Sequence, residues 1–473
     1  MGKDRPRMGN IPAPPWNGGI LMAKKEKLLL IILIGLGFFL RVWRLSDLMG
    51  FDYDQEVAME AVERILSGRP TLIGQQTSVG GVFIGPGYYY LLALFTWIFG
   101  GNPLGWGVMV ALISVGTMVA LFILTRGVFG KTTAFLTLAI YATNAKINFY
   151  DRTTAPSNPV MLASIITVLL LWLVKSGKRR LIPLLALTVT TAVIHFHPST
   201  ISLVPLSAVL WLYWKIKRPS RREILLSIAA VLLAIGPLLA FDLRHGWINI
   251  SGVIRALGDQ GNEAYVWILK SLATFRTQVE NLSSFFAVGG MGAFIALIMM
   301  VYWFRDKRNE RALLSYWILI PVLTLSFYRA HIPEYYLLTS FPALIIGIAA
   351  IENSLLKKMP LVGALVVLGI IAVNLAAIGQ AKNPFSLKNK RDVARFIKQK
   401  GIQEYMVTFD TDPGLESGFG YILKQEGVSS TDSSPIIFTI VIPESRRSMP
   451  GKETTLGGIK VIESFREVEE RGG

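Results

Sequence analysis

Cysteine is absent from the 473 residues, which removes disulfides, thiolate metal sites and a cysteine nucleophile from consideration and leaves the redox compartment unreadable. Charge is scarce too: Asp, Glu, Lys and Arg make up 17% of the chain against 52% hydrophobic residues, and the mean hydropathy is +0.48. A water-soluble chain of this size rarely shows that balance, so the solvent for most of it is a bilayer. Histidine occurs four times, and the pair His195 and His197 in IHFHPST lacks the i, i+4 spacing of a helical metal pair. Acid is the rarer sign, 31 residues against 48 Lys and Arg, for a net charge of +17. In a soluble chain that excess would point to nucleic acid. Here it sits in short loops between apolar runs, where positive residues hold loops in the cytoplasm, and no nucleic-acid partner is expected. The opening segment is polar and Pro-rich, lacks the charged-apolar-cleavage pattern of a removable signal, and reads as a retained cytoplasmic tail over 1–27.

Apolar runs are what the chain has in quantity. A helix needs roughly 20 apolar residues to cross a bilayer, and runs near that length lie at 28–45, 104–125, 132–149, 158–174, 181–196, 199–214, 223–243, 284–304, 312–328, 335–351 and 359–379. They predict an all-α polytopic membrane protein of about eleven transmembrane helices, with the membrane domain over 28–379 and membrane lipids as its surroundings. With the N-terminus inside, the cytoplasmic loops are RGVFGK, KSGKRR, KIKRPSRR, RDKRNER and LLKK, each with at least two positive residues. The run PGYYYLLALFTWIFG at 86–100 would invert everything downstream if it crossed, so it is assigned to the first outer loop as an aromatic interfacial helix. The large outer loops are then 46–103 and 244–283. The segment 380–473 changes character: SLKNKRDVARFIKQKG and GLESGFGYILKQEG read as helices, YMVTFD and IIFTIVI as strands, together a small α/β extracytoplasmic domain. It shows no metal, nucleotide or nucleophile motif, and a structural or acceptor-docking role is expected of it.

Chemistry is therefore sought at the outer ends of the helices. Asp47, Asp52, Asp54 and Glu56 crowd the end of the first span. In VAMEAVERIL the apolar positions 57, 58, 61, 62, 65 and 66 share one helical face, and Asp54 fits an N-cap. A carboxylate at the lip of a membrane cavity also fits a general base or a cation ligand. His195, His197, His245 and His331 all map to the outer side, and Arg244, Arg329 and Glu334 flank them; arginine there can pair bidentately with phosphate. Each of these charges has a plainer reading as an interfacial anchor or a packed side chain.

The stretch YDQEVAMEAVERILSGRP followed by GPGYYYLLALFTWIFG resembles the start of the GT-C membrane glycosyltransferases, in the branch related to protein O-mannosyltransferases and lipid A aminoarabinose transferase. Those enzymes are similar to one another in an Asp-Glu pair after the first span, a Gly about fourteen residues on, and a Pro-Tyr-Tyr-rich helix. Asp54 and Gly68 keep that spacing; Gln55 stands where the Glu would be, and Gly85 and Gly87 bracket Pro86 where Lys-Pro-Pro or His-Pro-Pro is common. NFYDRTTAPSNPVML resembles the second outer loop, with Arg152 matching and the following Asp replaced by the neighbourhood of Ser157 and Asn158. YRAHIPEYYLL resembles the charged-then-Tyr entry to a late span. The resemblance implies a polyprenyl-phosphate sugar donor, an outer-face lipid, glycan or protein acceptor, inversion at the sugar, Asp54 as catalytic base, and Glu56, Arg152, His195, His197, Arg244, His245, Arg329, His331 and Glu334 as substrate contacts. No metal ligand is assigned, and a divalent cation would need Asp151 to stand in for the missing second carboxylate. A secondary transporter or a lipid or polysaccharide flippase is the rival reading. Transporters place ionisable groups near the midplane, where these spans have almost none, Asn144 and Lys146 being the nearest.

Overall fold

The computed structural model describes residues 22–77, 81–258, 266–286, 309–328, 330–402, 404–431, 434–446 and 450–465, with a few isolated positions between 294 and 301. The expected span at 284–304 lies mostly outside these residues, as does Arg329. The helices are, in order, α1 (Lys24–Val42), α2 (Leu45–Leu48), α3 (Tyr53–Leu66), α4 (Gly87–Ile98), α5 (Leu104–Phe129), α6 (Lys131–Thr143), α7 (Ala145–Tyr150), α8 (Val160–Lys175), α9 (Ile182–His195), α10 (Leu203–Tyr213), α11 (Arg221–Arg244), α12 (Ile248–Gly258), α13 (Trp267–Ser284), α14 (Asn309–Leu325), α15 (Phe341–Lys358), α16 (Pro360–Gln380), α17 (Leu387–Gln399) and α18 (Phe419–Glu426). Among the described residues α5, α11, the 334–358 segment and α16 are long and apolar enough to cross a membrane. α11 and α16 turn Leu225, Leu232, Leu233, Leu361, Leu365 and Leu368 outward, which only a lipid environment makes inexpensive.

The Tyr-rich run forms α4, whose 12 residues rise about 18 Å and fall short of a hydrocarbon core of about 30 Å. Tyr88, Tyr89, Leu92, Ala93 and Thr96 pack inward, while Tyr90, Leu94 and Trp97 are exposed. The run at 132–149 is not one helix: Asn144 takes an extended ψ of 123°, and its side chain accepts from the Ile147 amide, so α6 ends and α7 starts afresh. Asn374 bonds the Ala145 amide at 2.8 Å and, with Asn144, the Phe285 carbonyl, so the break is satisfied inside protein.

The small α/β domain is present and larger than the sequence suggested. β1 (Met406–Thr411), β2 (Ile436–Ile442), β3 (Lys452–Leu456) and β4 (Ile459–Phe465) form a sheet of order β1-β2-β4-β3, with β1 parallel to β2 and the remaining pairs antiparallel. The unforeseen β3–β4 hairpin turns on Gly457 and Gly458, at φ of 59° and 89°. The domain does not stand apart: Leu387, Phe419 and Ile422 share one apolar core with Phe51, Met59, Val62, Tyr88 and Trp106 of the first loop and the start of α5. Complete burial of Phe51 alone contributes about 1.5–3 kcal/mol.

Candidate active site

α3 begins because Asp52 takes the N-cap and Gln55, three residues on, closes a capping box by accepting from the Asp52 amide at 2.8 Å. The cap is Asp52 and not Asp54, which leaves the Asp54 carboxylate on the first turn for other work. Gln55 is buried, and its Nε2 donates to the Thr154 carbonyl of the loop between α7 and α8. A Glu could make the first bond but not the second, because a carboxylate has no N–H. α3 ends at Gly68, where φ is +81°; the chain folds back so that the Arg69 amide donates to the Arg64 carbonyl at 3.0 Å. That turn brings the two arginines to one wall.

A cavity of about 540 Å³ opens between α3, the 69–76 segment, Tyr89 of α4 and the C-terminal end of α11. Asp54, Gln75, Arg64, Arg69, Tyr89 and His245 line it. Gln75 Nε2 donates to Asp54 Oδ1 at 2.6 Å. Loss of solvation raises the Asp54 pKa above its ordinary value, the Gln75 bond opposes that, and the nearby Asp52 adds to it. Burial, then the Asp54 charge, pushes the Tyr89 phenol up to about 12, so it stays a hydrogen-bond donor. His245 stacks on Phe241 at 4.1 Å and its Nδ1 is bonded to the Phe241 carbonyl. Phe83 completes the rim: its N–H and C=O are both paired with the Asn249 side chain, and Asp242 binds the Asn249 and Ile250 amides. The open cavity is of substrate size and sets one carboxylate and two guanidiniums, all reached by solvent, around it.

Of the residues singled out from sequence, Asp54 and His245 meet in this cavity and Arg244 sits exposed beside it. Glu56 is turned the other way, its two oxygens accepting from the Gly418 and Tyr421 amides at 2.7 Å each. His195 is buried with both nitrogens engaged, Nδ1 by the Gly87 amide and Nε2 by the Ala234 carbonyl. A Cβ at Gly85 or Gly87 would press on that imidazole, which accounts for the glycines on either side of Pro86. Arg152 is buried against the Leu40 carbonyl, next to an Arg41–Asp151 ion pair of 2.7 Å. Asp151 is thereby committed to Arg41 and Ser114, so the residues present do not make the two-carboxylate cation site it was considered for. His197 packs edge-on to Tyr336 and Tyr335; burial pushes its pKa down to about 4, which keeps it neutral. Glu334 accepts from the Tyr150 hydroxyl at 3.0 Å, and His331 is exposed nearby. Arg64, Arg69 and Gln75 were missed; the signal for the arginines is the Ser-Gly-Arg after an amphipathic helix, a Schellman stop that returns the chain onto its own last turn.

These groups all gather at one end of the bundle, while Glu26 with Lys131 and Arg126, and Arg179 with Glu223, mark the other. Residues 84–241 match the model of the dolichyl-phosphate-mannose-protein mannosyltransferase family. The fold is similar to ArnT from Cupriavidus metallidurans bound to undecaprenyl phosphate, at a TM-score of 0.59 and 11% identity over 96% of this chain and 100% of that one. ArnT in the apo state gives 0.57 and 11% over 92% and 97%. The Archaeoglobus fulgidus oligosaccharyltransferase gives 0.46 and 12% over 87% and 68%. No curated protein is similar to the chain in sequence. The protein is a multi-pass membrane protein with the GT-C glycosyltransferase fold. Residues 84–241 of that fold carry the match to the mannosyltransferase model, and the fold as a whole is similar to that of ArnT.

Proposed function

We propose that the protein moves a sugar from a polyprenyl-phosphate donor to an acceptor hydroxyl on the extracytoplasmic face, with inversion and with Asp54 as general base. The observation that carries this reading is the Asp54 carboxylate, bonded by Gln75, sharing one cavity with Arg64 and Arg69. Asp54 takes the acceptor proton as the acceptor oxygen bonds to the anomeric carbon. The bond from that carbon to the phosphate oxygen breaks in the same event, and the electron pair leaves with the phosphate, held by the guanidiniums. Phosphate is a good leaving group, so a second, strongly acidic carboxyl of the kind glycosidases use is not required. Undecaprenyl phosphate in ArnT supports a lipid phosphate as the departing group here.

His245 and Arg244 are retained as substrate contacts at the cavity. His197, His331 and Glu334 would touch the part of a substrate that extends beyond it, whereas Glu56, Arg152 and His195 serve by holding the walls. Purified protein given a polyprenyl-phosphate sugar and an envelope acceptor fraction is expected to yield free polyprenyl phosphate and a new glycoside in equal amounts. Donor binding or transport across proteoliposomes, without release of polyprenyl phosphate, would overturn the proposal in favour of the transporter or flippase.

A further inference from the structure

Lys390 of α17 is fully buried, an unusual place for an ammonium. Its Nζ donates to the Phe51 carbonyl at 2.7 Å, the Ser417 carbonyl at 2.7 Å and Asp52 Oδ1 at 3.0 Å, and lies over the Phe419 ring. Those are three acceptors for three N–H donors. Two belong to the residues that start α3, and the third to the turn that starts α18. One helical turn further along α3, Glu56 closes the same contact from the opposite direction by binding the amides of Gly418 and Tyr421. Gly418 has a φ of +85°, and a Cβ there would run into the Phe51 carbonyl, so the approach of the two segments admits no side chain. Asp54 lies between Asp52 and Glu56, and both neighbours are thus fastened to the C-terminal domain while Asp54 itself faces the cavity.

For stability alone, an apolar residue of similar length would fill the Lys390 site without the cost of burying a charge. A methionine could not hold two carbonyls and a carboxylate in a fixed arrangement. We propose that Lys390 is a positioning residue: through the first turn of α3 it fixes the direction of the Asp54 carboxylate, and the C-terminal domain thereby forms part of the catalytic apparatus. The proposal rests on the reading of Asp54 as the base.

The test uses the full-length protein with Lys390→Met, Gly418→Ala, both together, and Asp54→Asn. Hydrogen exchange of the amides at 53–58 reports the clamp without reference to activity. Expected in either clamp variant is exchange about tenfold faster there and unchanged in α5. Turnover should fall about 10- to 100-fold, since small misplacements of a reacting group have effects of that order, with donor KM within about threefold of wild type. The acid limb of the pH profile should move toward the ordinary aspartate value as the packing that partly desolvates Asp54 loosens, and the double variant should be no worse than the weaker single. Unchanged exchange at 53–58, unchanged turnover, or a loss of turnover matched by loss of folded protein each overturns the proposal. Wild-type turnover in Asp54→Asn would instead remove the base reading and leave the exchange result standing. If Lys390→Met does not accumulate, Asp52→Asn weakens one of the three bonds and should give the same pattern, smaller by about fivefold.

Discussion

Gln55 illustrates how one atom decides between two similar side chains. Its oxygen caps α3 and its nitrogen ties α3 to the α7–α8 loop, so Gln55→Glu keeps the cap and sets a buried negative charge against the Thr154 carbonyl. The expected cost is about 1–3 kcal/mol, read as a lower midpoint of thermal unfolding in detergent, with an unchanged midpoint counting against the bond assignment. Asp54 carries a prediction of the opposite kind. A base must be deprotonated to act, and its pKa is raised, so turnover should fall as the pH drops through a value above that of an ordinary aspartate. A profile flat down to the ordinary carboxylate pKa would contradict that. Arg64→Gln and Arg69→Gln should each lower turnover by about tenfold or more if the guanidiniums stabilise charge that grows on the departing phosphate, with a rise in donor KM alone pointing to ground-state binding instead.

At the scale of elements, much of the membrane domain was legible because apolar length is a strong signal, and α5, α11 and α16 fall where the runs fall. The break between α6 and α7 was not, because Asn144 ends one helix only by virtue of partners supplied by Phe285 and Asn374 far along the chain. The β3–β4 hairpin had a local mark, two glycines between alternating segments, yet strands of 5 and 7 residues are weak signals when charged residues stand within and beside them. α12 shows how an element can shape a site it does not enter: Asn249 pairs both backbone groups of Phe83 and fixes the cavity rim. Asn249→Leu leaves that donor and acceptor unpaired. It should raise donor KM and cost about 1–3 kcal/mol, and wild-type kinetics would show the rim to be held by other means.

For the whole molecule, the segment between α1 and α5 and the C-terminal domain are one structural unit drawn from opposite ends of the sequence. The position of Asp54 on the loop after the first helix could be read from sequence, but its cavity partners could not, since Gln75, Tyr89 and His245 converge only through the fold. Glu56 looked like a substrate ligand for the same reason Asp54 did, a carboxylate at the membrane edge, and only its distant amide partners separate the two roles. Removing residues after 380 would expose Phe51, Met59 and Val62 to water. The truncated chain is expected to aggregate on size exclusion, and a monodisperse, active truncation would contradict the shared core.

Deprotonation of the acceptor by Asp54 is put to the test by comparing wild type with Asp54→Asn under saturating polyprenyl-phosphate sugar and acceptor. The substitution keeps the size of the side chain and its contact with Gln75 but removes the basic oxygen. The expected result is a fall in turnover of about 100-fold or more with donor affinity little changed and the folded fraction intact. Turnover within about threefold of wild type would contradict it.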